Sequence, residues 1–187
     1  MNNFEIVILA LALVFNSWMS YLNAGVVLSG ESFARKVNCS GIMFLVQFLM
    51  AGTGIWIGYK TGGLDERTNM AISLSIMFIF GLKALLEGIR LQDQEKEFDY
   101  TEMKVILLSS LAEGITPLAI GISIGLLSLN PYLHWLLIGG FLLAGIIVAF
   151  LVAVTMGSGS FKLRLGPFGG LLLFAAAIKM TISLTGF

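Results

Sequence analysis

The sequence predicts an all-α integral membrane protein in which six transmembrane helices form two inverted three-helix repeats. Three observations predict it: the composition, the spacing of the charges and a similarity between the two halves. Of the 187 residues, 57% are apolar and 12% are charged, and the mean hydropathy is +0.93. About a quarter of the residues of an ordinary soluble domain are charged. We therefore expect the lipid bilayer to surround this chain.

The composition also excludes several classes of function. The 11 basic and 11 acidic residues cancel, so no surplus of positive charge is present to bind nucleic acid. The single cysteine, Cys39, excludes an internal disulfide framework and a multi-cysteine metal cluster. No hydrolase, zinc-protease or phosphate-loop motif occurs, so we expect neither an enzyme nor a bound cofactor.

Six long apolar segments account for the predicted helices. A helix needs roughly 20 apolar residues to cross a hydrocarbon core about 30 Å thick. The segments are continuous, without the alternation of barrel strands. They are 6–30, 37–59, 68–89, 105–130, 135–161 and 165–187. We assign one membrane domain over 1–187, with repeat one at 1–90, an acidic cytoplasmic linker at 91–103 and repeat two at 104–187.

The basic residues between the segments predict the orientation. Positive loops stay in the cytoplasm. Two basic residues, Lys60 and Arg67, lie on one side of the predicted topology. Seven lie on the other side, after segments one, three and five: Arg35, Lys36, Arg90, Lys96, Lys104, Lys162 and Arg164. We therefore expect a multi-pass protein of the cytoplasmic (inner) membrane with both termini outside.

The two halves of the chain are similar at a spacing of about 100 residues. Three crossings per unit invert the second unit relative to the first. Secondary transporters commonly have this plan, with the substrate site near the midplane. The matches are Leu11-Ala12 with Leu111-Ala112, Gly25 with Gly125, Gly41 with Gly140, Gly58 with Gly157 and Lys83 with Lys179.

Acidic residues are concentrated between the halves. One interpretation is a solvated cytoplasmic connector, and the other is a surface that gathers divalent cations at the cytoplasmic mouth. The acidic residues are Asp93, Glu95, Glu97, Asp99 and Glu102.

Four charged residues fall inside the apolar segments: Lys83, Glu87, Glu113 and Lys179. A charge at membrane depth costs at least ~2.5 kcal/mol, so it usually faces the bundle interior. Lys83 and Glu87 are four residues apart and can neutralise each other on one helical face. A second possibility for Glu87 is that its carboxylate reaches the cytoplasmic water.

Glu113 has no basic residue at helical spacing. Thr116 follows one turn later, and Pro117 loosens the backbone hydrogen bonds beside it. A carboxylate next to loosened backbone is a chemically sensible site for a cation or a proton. The alternative is a protonated Glu113 bonded to a neighbouring helix. Asn16, Ser20 and Asn23 form a polar stripe on the first segment, which serves either substrate contact or helix packing.

Several runs are similar to the MntP-type manganese efflux pump family of the LysE transporter superfamily. The runs are Gln47–Gly54, Gly81–Gly88, Thr116–Ser123 and Gly169–Leu171. The resemblance covers nearly the whole chain and implies a manganese exporter with a midplane cation site. The family carries aspartates at the positions that correspond to Asn16 and Thr116, and a proline at Ala51. Gln47 and Glu87 match the family.

These observations give one leading function and two rivals. We expect a secondary transporter that exports a divalent cation, manganese by resemblance, through alternating access. Glu113 is the expected anionic ligand or proton carrier, with Asn16, Thr116 and Gln47 as oxygen ligands and Glu87 as a second acid. One rival is a carrier of an organic solute such as an amino acid, whose carboxylate would meet Lys83 and Lys179. The other is a membrane accessory protein that does not transport.

Overall fold

The computed structural model describes residues 3–63, 65–90, 102–127, 130–156 and 166–185. Every element in these ranges is an α-helix. The helices are α1 (Asn3–Val27), α2 (Phe33–Thr61), α3 (Glu66–Arg90), α4 (Met103–Leu127), α5 (Pro131–Met156) and α6 (Gly166–Thr185). Their order and number agree with the six apolar segments. The four acids predicted at 93–99 in the linker lie outside the described residues.

Polar residues define where three of the helices begin. Ser32 is the N-cap of α2 and accepts a hydrogen bond from the backbone N–H of Arg35. Asp65 does the same for α3, because its Oδ2 accepts from the backbone N–H of Thr68 at 3.1 Å. Asn130 precedes Pro131 at the start of α5. These caps satisfy the backbone donors that the first turn of a helix leaves unpaired.

The helices are long and apolar enough for a multi-pass membrane protein. Four of them, α2 to α5, each contain a span by length and composition, and α1 adds a fifth as two parts bent by 44°. The parts are Glu5–Trp18 and Ser20–Val27. In α6 the apolar helix runs over Phe168–Lys179, which is shorter than a full crossing. The structure thus confirms an all-helical membrane protein, while the sixth crossing stays a prediction.

Glycines bring α2 and α4 into the closest contact of the bundle. A Cβ atom built on Gly121 would lie 2.5 Å from the carbonyl oxygen of Ala51, and one on Gly54 would overlap the carbonyl of Leu118. Further along both helices, Gly125 faces α2 in the same way. From one α2/α4 contact to the next, the residue numbers increase in the same direction on both helices, so α2 and α4 run parallel. This crossing fixes the spacing between the helices that carry the site described below.

The remaining contacts complete the bundle. Helices α1 and α5 also run parallel, through Val14 against Gly145 and Gly25 against Ala153. Three pairs run antiparallel: α3 with α6, α1 with α6, and α2 with α5. A serine joins α3 to α4, since Ser73 Oγ donates to the backbone oxygen of Ser123 at 3.0 Å. These directions agree with helices that cross the membrane alternately.

The centre of the bundle is α1. Its apolar side chains are buried along most of its length, including Leu9, Leu13 and Leu22. Large apolar side chains on the outer helices are exposed instead, such as Trp56 on α2 and Leu108 on α4. An apolar exterior around a buried central helix is suited to lipid.

Candidate functional site

The candidate site is built around Glu113 on α4. Pro117 lies inside this helix, four residues later, and has no backbone N–H for the carbonyl of Glu113. The Glu113 side chain is only partly accessible, and Gly114 next to it packs on Met50 of α2. The sequence therefore places a carboxylate and a backbone carbonyl that lacks its usual helical donor at the same level of α4.

Two neighbouring helices supply hydrogen-bond partners for this carboxylate. Gln47 of α2 is completely buried, and its Nε2 donates to Glu113 Oε2 at 3.3 Å. The hydroxyl of Tyr21 on α1, also completely buried, donates to Gln47 Oε1. A buried amide and a buried phenol both need partners. The chain Tyr21–Gln47–Glu113 satisfies them and joins α1, α2 and α4.

Two serines of α1 lie beside this chain. Ser20 hydrogen-bonds to the Glu113 side chain. Ser17 lies one turn before Tyr21 on α1. In the part of the chain that the structure describes, the buried Oγ of Ser17 has no hydrogen-bond partner. We call these five residues (Ser17, Ser20, Tyr21, Gln47 and Glu113) the Glu113 cluster.

The Glu113 cluster offers one carboxylate, one amide and three hydroxyl groups. Oxygen ligands of this kind suit Mn²⁺, Mg²⁺ and Ca²⁺, and a single carboxylate gives the site one negative charge. No group of three or more His, Cys, Asp or Glu side chains that could hold a metal ion occurs among the described residues. The site is thus chemically a single-acid site completed by neutral oxygens.

The structure brings together two of the residues predicted from sequence, Glu113 and Gln47. Thr116 is buried one turn along α4. Asn16 is half-buried where α1 meets α6, and its backbone lies against Gly169. Within the described ranges no hydrogen bond joins Asn16 or Thr116 to the Glu113 cluster. The side chain of Glu87 lies outside the described residues.

The two lysines have local contacts of their own. Lys83 Nζ lies 5.7 Å from the centre of the Phe80 ring on the same helix. Lys179 on α6 lies 4.0 Å from Glu5 Oε1 on α1, and the Glu5 side chain is only 11% exposed. This ion pair between the first and last helices neutralises Lys179, which the organic-solute hypothesis would assign to a substrate carboxylate.

Sequence reasoning missed Tyr21 and Glu5, and it gave Ser17, a polar residue of the first segment, no role. A signal for Tyr21 was present, because Ser17 and Tyr21 are four residues apart on one face of an apolar helix. A tyrosine hydroxyl buried in such a helix must find a partner. Glu5 lies in the first turn of α1, where a carboxylate is normally solvated, so the sequence carried no sign of its pairing.

The sequence as a whole has clear relatives. The model of a family described as "Putative manganese efflux pump" matches residues 31–181. A protein of Bacteroides thetaiotaomicron named "Putative manganese efflux pump MntP" is 29% identical, and the match covers 97% of each chain. Proteins with the same name are 26% identical in Phocaeicola vulgatus, over 97% of each chain, and 24% identical in Methanothermobacter thermautotrophicus, over the full length of both. No solved structure matches the chain.

Proposed function

The chain belongs to the MntP manganese efflux pump family, and on that premise we propose that it exports manganese across the cytoplasmic membrane. The observation that carries the proposal is the hydrogen-bonded chain from Tyr21 through Gln47 to Glu113. It places the one acid of α4 against two other helices. A carboxylate held inside a membrane protein in this way usually serves an ion pathway.

The cation would bind at Glu113. The carboxylate supplies the negative charge, and Gln47, Asn16 and Thr116 are the proposed neutral oxygen ligands, with Glu87 as a second acid. Gln47 already contacts Glu113, through its Nε2 at 3.3 Å. Asn16 and Thr116 replace two family aspartates, so the cation here is offset by fewer charges. We therefore expect weaker binding than in a site that keeps both aspartates.

We propose alternating access between two inverted repeats, α1–α3 and α4–α6. In this plan α1 corresponds to α4, α2 to α5 and α3 to α6. Exchanging the corresponding helices converts the parallel α2/α4 pair into the parallel α5/α1 pair. It also turns the α1/α6 contact into the α4/α3 contact. Gly25 and Gly125, matched in the sequence, both lie at the parallel contacts. This symmetry of packing supports a two-fold plan, and the basic residues of the loops support both termini outside.

A proton on Glu113 is the proposed counter-ion. A single carboxylate can hold either a proton or a cation, so entry of one favours release of the other. An inward proton gradient would then drive manganese out. The pairing of Lys179 with Glu5 gives the organic-solute carrier no comparable support.

The test is manganese uptake into proteoliposomes by the wild type and by Glu113→Gln. We expect the variant to transport at least about tenfold more slowly, because a hydrogen-bonded charge in the site is lost. Glu66→Gln is the matched control, since this exposed acid in the first turn of α3 lies outside the cluster. Equal transport by the wild type and Glu113→Gln would refute the site. A wild type that moves no manganese would refute the function and favour an accessory role.

A further inference from the structure

Pro117 leaves one main-chain oxygen of α4 without its helical donor. In an α-helix the carbonyl of each residue accepts from the backbone N–H four residues later, and for Glu113 that residue is Pro117. Proline has no backbone N–H, and its ring clashes with the carbonyl four residues earlier, so the two groups move apart. Across the described helices, no other helix and no side chain donates to the Glu113 carbonyl. This oxygen therefore has room for a partner of another kind.

The serines of α4 do not supply that partner. Ser110 Oγ donates to the carbonyl of Ile106 at 2.6 Å, and Ser123 Oγ donates to the carbonyl of Ala119 at 3.3 Å. Each serine uses the carbonyl four residues before its own position, which is a common pattern in helices. The carbonyl of Glu113 is thus left uncompensated by these hydroxyls. Burying a carbonyl without a partner is destabilising.

The Glu113 carbonyl lies on the interior face of α4. Glu113 and Pro117 are four residues apart, so they share one face of the helix, and Pro117 is buried. The opposite face is the exposed, apolar one, which carries Leu108, Leu111 and Ile115. The gap that Pro117 opens in the helical hydrogen bonds is therefore directed into the bundle and away from the lipid.

A second interrupted helix lies against this face. Helix α1 bends by 44° after Trp18. Tyr21, just beyond the bend, is joined to Glu113 through the buried amide of α2, so the bend lies near the level of the site. Pro117 also follows Ser17 by 100 residues, the spacing at which the two halves of the sequence match. Inverted-repeat transporters commonly bind ions where two such helices are interrupted, with main-chain carbonyls among the ligands.

We propose that the main-chain oxygen of Glu113 is a ligand of the divalent cation that the protein exports. The proposal rests on the proposed function, because the cation is the one assigned to the Glu113 carboxylate. A carbonyl is a neutral oxygen ligand of the kind that suits Mn²⁺. It adds an oxygen, but no charge, close to Thr116, where the family has an aspartate. Pro117 is a positioning residue, since it acts on the cation through this carbonyl.

Two substitutions at position 117 separate the carbonyl from the proline ring. Pro117→Ala restores a backbone N–H, which would bond to the Glu113 carbonyl and take the place of the cation on this oxygen. Pro117→lactic acid, introduced by nonsense suppression, has an alanine side chain on a backbone ester, so it lacks both the N–H and the ring. Ala119→lactic acid is the matched control, because the same ester removes the donor of the Ile115 carbonyl on the exposed face instead.

The first experiment measures Mn²⁺ binding to the purified full-length protein from the electron paramagnetic resonance signal of free Mn²⁺. We expect Pro117→Ala to raise Kd about 10-fold, because one ligand is lost to a hydrogen bond. Its Tm without Mn²⁺ should rise, since the helix regains that bond. Pro117→lactic acid should restore the wild-type Kd, and Ala119→lactic acid should not change it. A wild-type Kd for Pro117→Ala, or an equal rise in Kd for both Pro117 variants, would overturn the proposal.

The second experiment detects the ligand directly. Electron–nuclear double resonance on protein labelled with ¹³C at the glutamate main-chain carbonyl should show a strong coupling to bound Mn²⁺ in the wild type. The coupling should be lost in Pro117→Ala and kept in Pro117→lactic acid. A wild type that binds Mn²⁺ without this coupling would overturn the proposal, whether or not Pro117→Ala folds.

Failure of the proposed function gives a different result. A wild type that binds Mn²⁺ but does not transport it would refute export, while the ¹³C coupling would still test the carbonyl ligand. A wild type that does not bind Mn²⁺ overturns both. Normal binding and transport without the main-chain coupling refutes the carbonyl ligand alone.

Discussion

Substituting Gly121 with alanine tests whether the α2/α4 crossing holds the site together. The added Cβ would lie 2.5 Å from the Ala51 carbonyl oxygen, which belongs to the backbone and cannot rotate away. An ordinary carbon–oxygen contact needs about 3.3 Å. The two helices must therefore separate by about 0.8 Å at this level.

This separation reaches the Glu113 cluster. The hydrogen bond from Gln47 to Glu113 is 3.3 Å long. If α2 and α4 move apart as rigid helices, the distance becomes about 4.1 Å, which is too long for a hydrogen bond. Overpacking of this kind costs roughly 1–3 kcal/mol, or about 2–12 °C in Tm for a chain of this size. We expect lower Tm and weaker manganese uptake together.

Gly140→Ala is the control for this prediction. Gly140 lies on α5, where a new Cβ would meet no atom within 4 Å. Thermal unfolding in detergent and uptake into proteoliposomes should both match the wild type. If Gly121→Ala unfolds and transports normally, the close crossing does not set the geometry of the site.

Three further predictions concern contacts away from the cluster. Lys179→Met should lower the free energy of unfolding by about 1 kcal/mol, because it removes the partly exposed ion pair with Glu5. In a Glu5→Gln background, where this ion pair is already broken, Lys179→Met should cause no further loss. Hydrogen bonds from Thr68 hold the pKa of Asp65 below its usual range. Their contribution to stability is therefore present above the unfolded pKa of about 3.8, and it is lost as the pH falls through the lower pKa of the folded state. Asp65→Ser, which still caps α3, should flatten this part of a Tm-against-pH profile. Trp135→Phe should lower stability by about 1 kcal/mol in chemical unfolding, since the ring N–H donates to the backbone of α2 at 3.0 Å; an unchanged midpoint would contradict this role.

The sequence predicted the helices because the signal for them is local. Gaps between charges mark the apolar segments, and these gaps follow directly from the cost of placing charge in lipid. The same cost singled out Glu113, the one acid of its segment. Glu113 and Gln47 were both predicted as ligands, but the hydrogen bond between them was not predicted.

Contacts between distant helices could not be predicted in this way. Tyr21 meets Gln47 only because α1 packs in the centre of the bundle, where it contacts α2 and α4. Glu5 meets Lys179 because α1 and α6 run antiparallel. Both pairings depend on helix packing across the whole chain, which no local pattern encodes. Sequence alone also treated Gln47 as an oxygen ligand, whereas its nitrogen is the group that faces Glu113.

The most direct test of the central claim is whether the carboxylate of Glu113 binds manganese. Electron–nuclear double resonance can detect a carboxylate carbon next to bound Mn²⁺ in protein labelled with ¹³C at the glutamate side-chain carboxyl. We expect a strong ¹³C coupling in the wild type, in Glu66→Gln and in Glu87→Gln, and its loss when Glu113→Gln is combined with Glu87→Gln. A coupling that persists in this double variant would contradict the account, because an acid outside the proposed site would then hold the cation.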